Sequence, residues 1–365
     1  MTFNGRLGLV QRVLPVYRAL FFDALAAACT SGLGVFAGEP RPNESIVSAK
    51  ELNTARWTHA DNLHLLRGPF YLCYQRGLMD WLREWQPAAL IIEANPRYLA
   101  TSSAMKWMHT QNKPVIGWGL GSPPSSGWFA SLRRGSRLRF LRQFDALISY
   151  SARGAEQYAA LGYPADRIFV APNATAPAPT FRMPVRANGF DGHPVVLYVG
   201  RLQARKRLND LIRACAALSG SLQPKLVVVG DGPERKALES LAGQIYPSTE
   251  FPGAKFGAEL APYFSAADLF VLPGTGGLAV QEAMSYGLPV IVARGDGTQD
   301  DLVRPGNGWQ IPNDDYPALL NTLQEALSDP PRLRRIGAES YRVVAEEINI
   351  EKMVGVFVEA VNERV

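Results

Sequence analysis

Cysteine and histidine are scarce in this chain, with three Cys and four His in 365 residues. Cys29, Cys73 and Cys215 are odd in number and far apart, which argues against a disulfide framework or a cysteine-based metal knot. Each reads as a small apolar residue for burial, in a reducing interior. No His-x-x-x-His, Asp-x-Asp or His/Cys cluster occurs, and Asp300–Asp301 and Asp314–Asp315 fall in loop-like stretches, so no metal is expected. Apolar runs are short as well. None reaches the ~20 residues of a membrane-spanning helix. The opening, "MTFNGRLGLVQRVLPVYRALFFDALAAACTSGLGVF", is interrupted by Arg6, Arg12, Pro15, Arg18 and Asp23 and reads better as a strand and a helix than as a signal peptide.

What the chain does have is 47% hydrophobic and 19% charged residues, a soluble globular composition, and a length that suits two domains. Charge is unevenly spread. Residues 1–182 hold 20 Lys+Arg against 11 Asp+Glu, a net +9, and residues 183–365 hold 18 against 22, a net −4. Such asymmetry points to an anionic surface or partner for one half.

Short apolar runs alternate with helical stretches, the pattern of parallel βαβ units. In the first half "RLGLVQRV", "GLGVFAG", "AALIIEA", "KPVIGWG", "FDALISY" and "RIFVAPN" predict buried strands. In the second "PVVLYVGR", "KLVVVGDG", "STEFPGA", "ADLFVLPG" and "PVIVARG" do the same. Residues 172–194 carry five prolines without a periodic pattern and read as a semi-rigid linker. The expected organisation is a Rossmann-like domain over 1–180, a second over 181–345, and a helix over 346–365 packing back on the first. Two such sheets leave a cleft at the carboxyl ends of their strands, where ligands bind.

Three loops of the second half fall at strand carboxyl ends. In "YVGRLQARKRLNDLI", Arg201 follows the strand and Lys206 opens the next helix. Cations at a helix mouth suit a phosphate or diphosphate; the alternative is a solvated basic helix start, the better reading for Arg205 and Arg207. In "VVVGDGPERKAL", Gly230 and Gly232 bracket Asp231 and permit close backbone approach. In "LPGTGGLAVQEAMSYGLPVIV", Gly274, Gly276 and Gly277 precede a helix in which Glu282 is placed to accept hydrogen bonds from ribose hydroxyls.

With "YVGRL" plus Lys206, "VVVGDGP", "FPG…YFSAADLFVLP" and "EAMSYGLPVI" in this order, the chain resembles the family 4 retaining glycosyltransferases over residues 195–312. In the first half, "QRVLPVYRALFFDAL" and "DALISYSARGAEQYAALGYPADRIFVAPNAT" look like the first and last units of the corresponding domain in a bacterial branch. The resemblance implies an α/β GT-B fold, two Rossmann-like domains facing across a cleft. It also implies transfer of a sugar from a nucleotide-diphosphate-sugar, with no cofactor, to a glycan or lipid-linked glycan in bacterial surface polysaccharide or glycoconjugate synthesis. By the same resemblance Arg201 and Lys206 would hold the diphosphate and Glu282 the ribose. Gly276, Gly277 and Leu278 would offer amides, and Lys255 and Phe256 would border the base. The implied donor site is Gly200, Arg201, Lys206, Gly232, Lys255, Phe256, Gly274, Thr275, Gly276, Gly277, Leu278 and Glu282. Two departures stand out: Gly274 occupies the place of a common second glutamate, and Arg207 that of a common glycine.

At strand ends of the first half, Glu93, Asn95, Arg97, Trp118 and Asn173 are cleft candidates, with Glu93, Arg97 and Trp118 taken as catalytic-side residues and Trp118 as a ring to stack on a sugar. Residues 128–145 hold five arginines among Trp128, Phe129, Leu132, Leu138, Phe140, Leu141 and Phe144. A basic amphipathic segment suits an anionic membrane surface; a nucleic-acid patch or a solvated helix face are its alternatives. The expectation is a cytoplasmic enzyme, peripheral on the inner face of the membrane, with no nucleic-acid partner. A dinucleotide-dependent oxidoreductase would need a Gly-x-Gly-x-x-Gly after a strand with an acidic residue ~20 positions on, which is absent. A two-lobed binding protein is the remaining rival.

Overall fold

The computed structural model describes residues 1–41, 44, 46–123, 130–295 and 299–365, and for Pro69 the backbone alone. The chain forms two units, residues 1–175 with 350–365, and residues 176–349.

The first unit is built on an eight-stranded sheet. Its strands are β1 (Leu7–Val13), β2 (Leu33–Gly38), β3 (Arg56–Leu65), β4 (Leu72–Arg76), β5 (Ala89–Glu93), β6 (Val115–Gly119), β7 (Ala146–Ser149) and β8 (Ile168–Val170). They lie in the order β4-β3-β2-β1-β5-β6-β7-β8, with β3/β4 antiparallel and the other pairs parallel. The six strands expected from apolar runs are all present. The pair β3–β4 was not expected, because "RWTHADNLHL" is half-exposed for most of its length and polar at His59, Asp61, Asn62 and His64. A strand that leaves the covered centre of a sheet loses the continuous apolar signature. Helices α1 (Ala19–Ala27), α2 (Leu78–Trp85), α3 (Thr101–His109), α4 (Ala130–Leu141) and α5 (Ala152–Leu161) alternate with the strands. The N-cap of α5 is Ser151, whose hydroxyl accepts from the Gly154 amide at 3.0 Å.

The second unit holds a six-stranded parallel sheet, β9 (Val195–Val199), β10 (Lys225–Val229), β11 (Thr249–Gly253), β12 (Leu269–Leu272), β13 (Val290–Ala293) and β14 (Gly308–Ile311), ordered β11-β10-β9-β12-β13-β14. Five were expected; β14 was missed because "GWQI" is only partly buried at an edge. Its helices are α6 (Leu208–Ala217), α7 (Arg235–Ile245), α8 (Ala261–Ala266), α9 (Ala279–Ser285), α10 (Tyr316–Ser328) and α11 (Pro330–Glu346). Asp315 and Asp329 cap α10 and α11, accepting from the amides of Ala318 and Arg332 at 2.9 Å ahead of prolines in the first turn. The order reverses at β9, with β10 on one side and β12 on the other, so the loops after β9 and β12 meet at the topological switch point.

The stretch read as a linker is fastened to the second unit. Arg186 donates to the carbonyls of Ala267, Tyr286 and Phe264 at 2.7–2.9 Å, and Arg334 donates to those of Ala187 and Gly189. The last helix, α12 (Ile350–Asn362), belongs to the first unit and packs on α1 and β7.

Candidate functional site

Glycine stitches three loops of the second unit together. A Cβ on Gly230 would lie 1.9 Å from the Gly200 carbonyl oxygen, and one on Gly232 would lie 2.2 Å from that of Leu202. On the other side, a Cβ on Gly274 would lie 2.1 Å from the Arg205 carbonyl oxygen and 2.6 Å from Lys206 Cα. Hydrogen bonds complete the seam, from Gly200 to Val229 (3.0 Å), Leu202 to Asp231 (2.9 Å) and Thr275 to Arg205 (3.3 Å). The loop after β9 is thereby clamped between those after β10 and β12. Gly230, Gly232 and Gly274 are explained by backbone packing, a reason the sequence reading did not give. No side chain fits at Gly274.

Within this clamp the cations differ sharply. Lys206 ends a 3₁₀ turn, Ala204–Lys206, rather than opening α6, and is 6% exposed. Its ammonium donates to the carbonyls of Thr275, at 2.7 Å, and Gly276. Burial, aided by the neighbouring Arg205 charge, lowers its pKa to about 8. Arg201 is exposed. Arg205 is exposed too, with Nε on the Gln203 carboxamide oxygen at 3.1 Å and Nη1 3.5 Å from the Thr275 carbonyl. Among the described residues no carboxylate ion-pairs with Arg201, Arg205 or Lys206. Arg207 is the contrast, paired with both Asp210 and Asp314. It stands at φ +54° as the N-cap of α6, a left-handed conformation that explains why a glycine suits the position.

Glu282, in the first turn of α9, is half-buried; burial raises its pKa, and among the described residues no donor or cation pairs with it. Thr275, Gly276, Gly277 and Leu278 lie on the accessible stretch leading into α9, with Gly276 at φ +65°. Lys255 is spent partly on Glu259 at 3.6 Å, while Phe256 is 76% exposed. Among the described residues, neither makes a hydrogen bond or ring contact with the clamp.

In the first unit Glu93 ends β5 and accepts from the Arg12 amide. Burial pushes its carboxyl up to about 7, although the Arg12 amide and guanidinium pull it down. Arg12 is held 2.7 Å from Glu44, which also pairs with Arg41 at 2.9 Å; against its burial, these arginines bring Glu44 down to about 2. Sequence reasoning missed this cluster. Its one signal was Arg12, a charged residue near the end of the apolar run of β1. Arg97 is exposed, its amide bound by the Asn95 side chain. Trp118 corrects the reading. It is 1% exposed, stacked on Tyr150 at 4.8 Å and edge-on to Phe357 at 4.9 Å, with the Arg18 guanidinium 5.0 Å from its ring. α1 and α12 cover that face of β6, so no ring surface is left for a sugar. Asn173 is occupied as well, accepting from Arg18.

Trp128 and Phe129 of the basic segment lie outside the described residues. From there on, α4 presents Arg133, Arg134 and Arg139 to solvent with Leu132 71% exposed, and buries Leu141. Among the described residues no group of three or more His, Cys, Asp or Glu is arranged to hold a metal, and no helix is long and apolar enough to cross a membrane.

Residues 184–343 match the family described as Glycosyl transferases group 1. The match falls within the second unit, which is similar to that family. The GDP-mannose-dependent alpha-mannosyltransferase of Corynebacterium glutamicum is 35% identical over 156 residues, 42% of this chain and 36% of that protein. The chain thus spans about a third of the length of that relative. The lipopolysaccharide core biosynthesis glycosyltransferase LpsE of Rhizobium meliloti is 25% identical over 321 residues, 83% of this chain and 93% of LpsE. Among solved structures, Anabaena HepE in complex with UDP superposes over 100% of both chains with TM-score 0.68 at 16% identity. A sucrose-phosphate synthase from Thermosynechococcus elongatus covers 98% of both at 0.66 and 21% identity. These likenesses establish the fold as GT-B, with two Rossmann-like domains.

Proposed function

We propose that the chain is a retaining glycosyltransferase moving a hexose from a nucleotide-diphosphate-sugar to a glycan or lipid-linked glycan of a bacterial surface. The observation that carries this reading is the clamped group of Arg201, Arg205 and Lys206, cations without a carboxylate partner among the described residues. Buried or fixed positive charge with no internal counter-ion is poised for an anionic ligand. Relatives named as glycosyltransferases, one of them GDP-mannose-dependent, and a neighbour solved with UDP support a nucleotide donor.

In this reading the bond between the anomeric carbon and the diphosphate oxygen breaks while the acceptor hydroxyl enters on the same face. The hydroxyl proton passes to the departing phosphate. Arg201 and Lys206 stabilise the charge that develops on the leaving diphosphate, and Glu282 takes the ribose hydroxyls. No protein nucleophile and no metal is required. The enzyme would work in the cytoplasm, resting on the inner membrane face through the arginines of α4.

A melting-temperature panel of UDP, GDP and ADP, with NAD(P) as control, tests the donor reading, since a ligand of the native state raises its stability. A rise with one diphosphate and none with NAD(P) is expected; silence from all three diphosphates refutes it. Turnover that survives EDTA supports metal independence, and loss restored by Mg²⁺ or Mn²⁺ overturns it. An inverted anomeric centre in the product, read by NMR, would remove the retaining assignment. Failure to co-sediment with anionic vesicles at low salt would remove the membrane role.

A further inference from the structure

The clamp holds one more cation than a diphosphate uses. Each phosphoryl group of a sugar donor carries one negative charge, which Arg201 and Lys206 match one for one. Arg205 is then in surplus. Among the described residues it is not neutralised locally: the neighbouring acids Asp210 and Asp314 are taken by Arg207, and Glu282 ion-pairs with none of the three. Nor does it wander freely, because its carbonyl is packed under Gly274 and bonded by the Thr275 amide, while Gln203 holds its Nε. From that fixed base its Nη1 reaches 3.4 Å from where a Cβ on Gly276 would stand, and Lys206 Nζ lies 3.8 Å from the same point. Two cations therefore converge on one exposed glycine, and only one of them is buried and tied by the loop carbonyls.

Resting on the donor reading above, we infer that Arg205 selects an acidic sugar, so that the donor is a nucleoside-diphosphate uronate whose carboxylate meets the Arg205 guanidinium. A planar carboxylate accepts two parallel N–H bonds from guanidinium, a match an ammonium does not offer. Arg205 is on this view a specificity residue, acting on the sugar rather than on the leaving group.

The test is calorimetric. The diphosphate that binds identifies the base, and the full chain is then titrated with the glucuronate and the glucose donor of that base. A charge-assisted hydrogen bond to Arg205 should make the uronate about tenfold tighter in the wild type, and Arg205→Gln should bring the ratio close to one. A wild-type ratio near one overturns the inference. So does an Arg205→Gln variant that weakens both donors and the free diphosphate equally, which would make Arg205 a third phosphate ligand. If no diphosphate binds at all, the donor reading itself falls. Arg205 is exposed, so the variant folds; a melting temperature within a few degrees of wild type confirms this.

Discussion

On the proposed donor reading, Lys206 should make nucleotide binding depend on pH. In the free protein its ammonium is buried on the Thr275 and Gly276 carbonyls and titrates at about 8, below its ordinary 10.5. A diphosphate placed against it favours the charged form and carries the proton well past pH 9. Affinity therefore follows the protonated fraction of the free protein. That fraction is near nine-tenths at pH 7 and a few per cent at pH 9.5, so binding should weaken by about 30-fold across this window. The lysine's share of the slope is the part that disappears in Lys206→Met. Isothermal titration with the diphosphate that binds, at half-unit steps from pH 7 to 9.5, measures it. Lys206→Arg should flatten the curve, and Lys206→Met should be weak at every pH. The sign for folding is opposite. Between pH 8 and 10.5 the unfolded chain binds the proton that the folded chain has released, so ligand-free stability gains up to about 3 kcal/mol from this residue as pH rises. A flat wild-type profile, or the same slope in Lys206→Met, would refute the reasoning.

Arg201→Ala and Lys206→Ala should each lose at least about a hundredfold in turnover, since one fixed donor to a developing oxyanion is worth about 3–4 kcal/mol; near-wild-type turnover in both removes the assignment. Gly274→Ala should lower stability by about 1–3 kcal/mol in urea melts, because its methyl would enter the backbone of Arg205 and Lys206; an unchanged midpoint means that the clamp is looser than described. Trp118→Ala should cost about 3–5 kcal/mol of unfolding free energy while diphosphate affinity, measured well below the melting temperature, stays as in wild type. A stable variant with weakened binding would restore Trp118 to the ligand site. Arg207→Gly should shift stability by less than about 1 kcal/mol, since relief of a left-handed residue offsets the lost ion pairs with Asp210 and Asp314; a larger loss shows that the pairs dominate.

Covered parallel strands were legible because burial on both faces writes an unbroken apolar run; "KLVVV" and "LFVL" carry that signature with little ambiguity. Edge strands were not. β3 mixes Trp57, His59, Asp61 and Asn62, and β14 is four residues with a glycine, so neither carries a period long enough to read. Trp118 was misplaced for a related reason. Its position near the end of β6 was legible, but the rings that close over it come from α1 and from α12, more than two hundred residues onward in the chain. The cluster around Glu93 depends likewise on Arg12, Glu44 and Arg41, which the sequence scatters and the sheet order gathers.

The glycines show where local reading gives the right residues for an incomplete reason. In the sequence, Gly230, Gly232 and Gly274 suggest bare backbone offered to a ligand. In the fold, each admits the carbonyl of the loop after β9, the loop that carries Arg201, Arg205 and Lys206. Positions of Arg201, Arg205 and Lys206 are therefore set by backbone contacts, whereas the charges proposed to meet a ligand belong to their side chains. The two contributions separate in experiment. A glycine substitution in the clamp should disturb stability and affinity together, and its effect on affinity should persist at high salt. Removing a cation should leave stability nearly intact and take with it part of the salt dependence of binding, since an exposed charge on a phosphate is screened and a displaced backbone is not. If Gly274→Ala and Arg201→Ala gave the same salt response, the division between scaffold and charge would be wrong, and the glycines would have to touch the ligand themselves.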